Sequence, residues 1–238
     1  MNNFADDTMM IVTAEKELRR VTRDFVEYIE TFRINMHKPN TATPTKPSKS
    51  VIVHVPAAGN KTGAPLKQPI KLRQLADGTS GTICFVRSCV CLGATINEAL
   101  NDDEEIDKRT LKATQMFGML RPNVMASKDT WPDVKKQIFV GMLMPTLLDG
   151  AEHWIISDSK RRELNVVHNT MVRSSLRFTS CVTRKYRITC QEMHGKLGLE
   201  NLDYYLDQRM LGHAGHVERM GNERLPKLMR DSCLVGGI

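Results

Sequence analysis

The stretch Asp102-Asp103-Glu104-Glu105-Ile106-Asp107-Lys108-Arg109-Thr110-Leu111-Lys112-Ala113-Thr114-Gln115-Met116-Phe117-Gly118-Met119-Leu120 decides the fold class. Ile106, Thr110, Ala113, Phe117, Leu120 and then Val124 recur at helical spacing and form one stripe. The helical pattern continues toward the C-terminus. Pro122 and Pro132 bound segments, and residues 133–148 read as a second helix, with Pro145 bending or ending it. A third covers 160–178, built on Leu164, Val167, Met171 and Leu176. A short helix over 189–197 is closed by Gly198, and a last one over 202–220 ends before Leu225-Pro226. Residues 231–238 read as a frayed tail.

Upstream the pattern changes. Gly, Pro and Lys dominate residues 56–82, where irregular structure with a short strand near Ile70-Lys71-Leu72 is expected. Residues 51–55, 84–86 and 89–92 read as strands, and Gly93 lets the backbone turn. Pro39, Pro44 and Pro47 mark 37–50 as a loop or linker. Before it, Leu18, Val21, Phe25, Ile29 and Phe32 predict a helix that opens at Thr13, with Arg19, Arg20 and Arg23 on its outer side. The class is therefore α+β, predominantly α-helical.

The chain has 238 residues, room for one large or two small domains. It is 41% hydrophobic and 26% charged, which suits a buried core rather than wholesale disorder. A net charge of +7 and a pI near 9.1 fit a polyanionic partner as well as a merely soluble protein. No apolar run is long enough for a membrane span, and no membrane partner is expected. Residues 1–20 do not resemble a signal peptide, so an intracellular setting is expected, nuclear or cytoplasmic alike. The six cysteines form no C-x₂-C pair and no zinc-finger framework, and free thiols are expected.

Phe4-Ala5-Asp6-Asp7 precedes the apolar run Met9-Met10-Ile11-Val12, and residues 2–12 read as a hairpin with the acids at its turn. Paired carboxylates hold Mg²⁺, the ion that nucleotidyl transfer uses. An ordinary solvated turn is the plain alternative.

The order of several motifs resembles non-LTR (LINE-type) retrotransposon reverse transcriptases. Phe4-Ala5-Asp6-Asp7 is similar to their F/Y-A-D-D box, and Ile34-Asn35-Met36-His37-Lys38 to an I-N-x-x-K-T element. Cys91-Leu92-Gly93-Ala94-Thr95-Ile96 resembles the Y-L-G-x-x-I segment that opens the thumb, and Glu105-Ile106-Asp107-Lys108-Arg109 resembles E-I-x-x-R. The run from Pro145 to Trp154 resembles P-T-L-L-Y-G-A-E-T-W, while His168-Asn169 and Arg173 fall where that family has H-N and then arginine. The run from Arg209 to Met220 resembles R-x-L-R-W-x-G-H-V-x-R-M.

The resemblance implies a truncated palm fragment with a linker over 1–95, an α-helical thumb-like region over 96–230 and a tail over 231–238. It implies RNA-directed DNA polymerase chemistry. Asp6 is then the main metal-ligating carboxylate and Asp7 its partner, for Mg²⁺ ions about 3.5–4 Å apart. Lys38 would stabilise the departing phosphates. An RNA template with its DNA primer is the implied partner, and no protein partner is implied. Arg109, Lys112, Lys135, Lys136, Arg161, Arg162 and Arg173 are the candidate phosphate contacts, each against a solvated-face alternative.

The first catalytic aspartate and the fingers have no counterpart in these residues, so a fragment inactive alone is expected. The alternative is a non-catalytic, basic α-helical nucleic-acid-binding remnant. Departures from the family pattern include Pro39 for Thr or Ser, Cys91 for the aromatic, and no tryptophan near Met210. Asp149 stands in place of a tyrosine, and a buried carboxylate there would need a partner or an upward-shifted pKa.

Overall fold

The computed structural model describes residues 2–4, 7–32, 50–56, 68–71 and 82–235. The described residues are mostly helical with a few short strands, an α+β chain. Two compact units divide at Asn101–Asp102.

In the first unit, β1 (Asn2–Phe4) and β2 (Asp7–Met9) pair antiparallel, with Phe4 opposite Asp7. The strand expected to run to Val12 stops at Met9. Helix α1 (Glu15–Thr31) carries Glu15 and Glu17 in its first turn, where the helix dipole favours acids. Thr22 and Val26 are its buried residues, flanked by half-buried Leu18, Val21, Phe25 and Ile29. Phe32 leaves the stripe, because the helix ends at Thr31, and it lies exposed against the Tyr28 ring at 5.1 Å. Arg19 pairs with Glu15 one turn back at 2.8 Å.

Strand β3 (Val51–Val53) runs parallel to β5 (Thr82–Val86), and β4 (Ile70–Lys71) flanks β5 antiparallel. Val26 packs with Ile83 and Ile52, which seats α1 on this small sheet. A second hairpin joins β6 (Ser88–Cys91) to β7 (Ala94–Asn97). Leu92 at φ 50° and Gly93 at φ 84° form its two-residue loop, the left-handed pair of a type I′ turn. The turn at Gly93 is thus a strand reversal, and Ala94–Asn97 pair back as a strand where the sequence reading began the thumb-like region.

In the second unit, α2 (Asp103–Leu120) places Asp103, Glu104 and Glu105 in its first turn. It passes into a π-helical turn, Arg121–Met125, in which the Ala126 N–H donates to the Arg121 carbonyl at 2.8 Å. Helix α3 (Pro132–Ile138), a π turn (Phe139–Leu143) and α4 (Met144–Leu147) follow one another without a break. Pro145 neither ends nor begins this rod. The π turn before it replaces the i→i−4 ladder that a proline cannot join. Gly150 at φ 80° then reverses the chain into a 3₁₀ turn, Ala151–His153.

Five further helices complete the unit: α5 (Asp158–Ser175), α6 (Ser180–Lys185), α7 (Cys190–Leu197), α8 (Leu202–Glu218) and α9 (Leu225–Val235). Ser157, Thr179, Thr189 and Asn201 each cap the helix that follows by accepting an N–H three residues on. Thr189 and Glu192 complete a capping box, and the hydrogen bonds from Thr189 hold the Glu192 carboxyl below its usual range. Three of the helices close alike. Arg177, Arg187 and Gly198 are left-handed, and the next residue's N–H reaches back to Arg173, Thr183 and His194 at 3.0 Å in each case. The residues that follow, Phe178, Ile188 and Leu199, are apolar and pack on the core, as this closure prefers.

The third helix thus ends at Ser175, short of 178, because Arg177 turns left-handed. Helix α9 also differs from the frayed tail expected over 231–238. Pro226 sits in its first turn, where a proline's missing N–H has no intrahelical bond to make, and the helix runs on to Val235. The core of the unit is centred on Ile106, Phe117, Phe139, Leu147, Leu164 and Val172.

Candidate nucleic-acid interface

Asp6 and Lys38, two of the three catalytic candidates, lie outside the described residues. Asp7 opens β2 directly across from Phe4. Among the described residues no group of three or more His, Cys, Asp or Glu side chains converges as a metal site.

The seven cationic candidates separate by burial. Arg109 is largely enclosed and pairs with Glu105 on its own helix and with Asp149 beyond α4. Its guanidinium is committed to internal carboxylates, so its place is in the scaffold rather than against a phosphate. The same pair answers the demand at Asp149, whose carboxylate is exposed and has Arg109 as its partner. Lys135 is also no surface contact. It is 8% exposed, and its Nζ donates to the carbonyls of Ser127 at 2.8 Å and Ser175 at 3.2 Å. Burial, with the nearby Arg177 charge, pushes the Lys135 ammonium pKa down. Ser175 ends α5, so Lys135 satisfies a helix-terminal carbonyl.

Arg161 on α5 ties that helix to α8, donating to Asp203 at 2.6 Å and reaching Asp207 at 3.4 Å. Lys112, Lys136 and Arg162 are exposed. The stem of Lys136 lies over Gly198, where an added Cβ would meet its Nζ at 3.2 Å. Arg173 is half-buried and lines a groove between α2 and α5.

Arg121 and Arg177 line the same groove, and the sequence reading passed over both. A signal existed for one of them. Arg121 is one helical turn beyond Phe117 and shares its face, whereas Arg177 reaches the groove only because the chain turns left-handed after α5 ends at Ser175.

A second cluster joins residues distant in sequence. His168 is wholly buried, with both ring nitrogens unpartnered and its ring 5.4 Å from Phe139 and 5.0 Å from His194. Burial, aided by the His194 charge, pushes the His168 pKa down to about 3, so the ring is neutral at pH 7. His194 bonds through Nε2 to Asn169 Oδ1 at 2.8 Å, and its own pKa is lowered by burial. These are core imidazoles.

The motif residues of the second unit also come together. Leu147, Leu148, Ala151 and Trp154 are buried in the core that holds Ile106. Arg209 approaches Glu152 at 3.7 Å, and the His213 ring meets that of His153 at 4.5 Å. No helix among the described residues is long and apolar enough to cross a membrane. No protein-family model, no curated protein and no solved structure matches the chain.

Proposed function

We propose that the chain is a portion of a non-LTR retrotransposon reverse transcriptase, an RNA-directed DNA polymerase, spanning the end of its palm and a thumb-like helical region. The observation that supports this most is the antiparallel pairing of Asn2–Phe4 with Asp7–Met9, in which Phe4 of the F-A-D-D box lies opposite its Asp7. The convergence of Glu105, Arg109, the 147–154 run and His213 around one unit supports it further, since scattered chance matches have no reason to be neighbours.

In this reading Asp6 and Asp7 would hold Mg²⁺, which when bound would supply Lewis-acid activation of a primer hydroxyl and charge stabilisation for the leaving pyrophosphate. The role the resemblance implies for Lys38 is to steady the departing phosphates. The family's two-metal site also takes a further aspartate from another strand of the palm. The cationic helical unit holds the template–primer through its phosphates. A second reading, a non-catalytic nucleic-acid-binding remnant, is favoured by the groove of Arg121, Arg173 and Arg177, which needs no Asp pair.

Primer extension on an RNA template with Mg²⁺ tests the first reading. The chain is joined to the fingers and upstream palm of a non-LTR reverse transcriptase and compared with its Asp6→Ala version. Extension that is lost with Asp6→Ala is expected. Extension surviving Asp6→Ala overturns the polymerase reading. Activity of the unjoined chain overturns the need for a further carboxylate.

A further inference from the structure

Arg121, Arg173 and Arg177 face one groove of about 710 Å³ between α2 and α5. Its apolar lining comes from Phe117, Val167, Met171 and Phe178. No carboxylate lines it, and none of the three guanidinium groups has an ion-pair partner among the described residues. The buried Lys135 ammonium stands close enough to Arg177 to feel its charge, so the positive field is crowded as well as uncompensated.

A ligand for such a place must bring anionic groups for the guanidinium forks and apolar, planar faces for the lining. A nucleic-acid duplex brings the first and hides the second, because its bases are stacked inside. A single strand brings both, since its bases are free to lie on apolar and aromatic side chains while its phosphates meet arginine. The volume also suits a small ligand rather than a double helix.

We propose that the groove between α2 and α5 binds a short single-stranded segment of nucleic acid, its phosphates held by Arg121, Arg173 and Arg177 and a base lying against Phe178 and the exposed Val166 of the same lining. The proposal rests on the nucleic-acid-binding part of the proposed function and is independent of the Asp pair. Arg177 offers a clean test because its backbone is left-handed. Arg177→Gly removes the guanidinium and relaxes the backbone in one change, so lost binding cannot be blamed on a lost fold.

The experiment is fluorescence anisotropy of a short labelled oligothymidylate with the full chain, with an unlabelled blunt duplex and poly-glutamate as competitors. Arg177→Gly and Arg173→Ala are each expected to weaken oligothymidylate binding about tenfold. Arg224→Ala, at an exposed position outside the groove, is expected to leave it within about twofold. Unchanged affinity in Arg177→Gly overturns the proposal. Binding of the duplex but not of oligothymidylate overturns it while the nucleic-acid reading stands, and binding of neither overturns both. Displacement by poly-glutamate at lower concentration than by unlabelled oligothymidylate overturns it in favour of an acidic peptide.

Discussion

Arg109 and Asp149, 40 residues apart in sequence, form an ion pair that fastens the first turns of α2 to the end of α4. The two partners are unequally buried: the Arg109 side chain is 12% exposed and that of Asp149 59%. Glu105, the other carboxylate on Arg109, is 7% exposed. Arg109→Ala is therefore expected to cost about 2–3 kcal/mol, because it leaves the enclosed Glu105 without its arginine. Asp149→Ala is expected to cost less than about 1 kcal/mol, because its carboxylate is largely in water. Urea unfolding of both variants checks the asymmetry, and equal losses would contradict it.

Lys135 and Lys136 are neighbours with opposite fates. Lys135→Ala strips the Ser127 and Ser175 carbonyls of a buried donor and is expected to destabilise by about 2 kcal/mol. Lys136→Ala, at an exposed position, is expected to stay within about 0.5 kcal/mol. Thermal melts of the pair decide the matter, and the reverse order would refute the placement of the two side chains.

His168 makes stability depend on pH. Its folded pKa is depressed to about 3, so the unfolded chain binds a proton that the folded core refuses. This contribution is complete above the ordinary histidine pKa of about 6.5 and is lost as pH falls toward about 3, at up to about 1.4 kcal/mol per pH unit. His194 shifts in the same direction and adds to the slope. His168→Leu is expected to flatten the dependence between about pH 6.5 and 5, above the range where carboxylates titrate. Unfolding curves across that window give the answer, and an unaltered slope would remove His168 from the account.

Arg177 and Arg187 hold left-handed backbones at φ 60° and 50°, positions where glycine is at ease. Replacing either by glycine is expected to stabilise the chain by about 0.5–1 kcal/mol, the strain relieved less the extra entropy of an unfolded glycine. Gly198→Ala reverses the logic at φ 62° and is expected to destabilise by about 1 kcal/mol, with Lys136 obliged to move aside. Differential scanning calorimetry of the three variants tests whether sign follows backbone conformation.

The long periodic helices were legible because their apolar stripes are long. Ile106, Ala113 and Phe117 are buried in α2, and Leu164 and Met171 in α5, as their spacing foretold. The expected pairing of strands on either side of residues 5–6 is present, though each strand is only three residues long. Features that depend on a single bond were not legible. Helix α6 is only six residues long, too short to carry a period, and α9 carries in its first turn a proline that reads as a stop. Strand β7 follows a left-handed Leu92, which no propensity for leucine anticipates. In the candidate interface, charge alone could not separate Lys135 from Lys136. Only the helix register, set by which residues meet the core, turns one inward and the other out. Nor does the sequence bring His168 to His194 or Arg109 to Asp149, since those are products of packing.

The repeated closures at Arg177, Arg187 and Gly198 bear on how the second unit takes added length. Each corner is fixed by a hydrogen bond that spans five residues, and the side-chain caps at Thr179, Thr189 and Asn201 reach only three. The direction of the chain from α5 to α8 is thus settled by near neighbours, before any remote partner has to be located. Such a segment has little loop entropy to overcome at each corner, so a longer insertion at any one of them would disturb the direction of the next helix more than its length alone suggests.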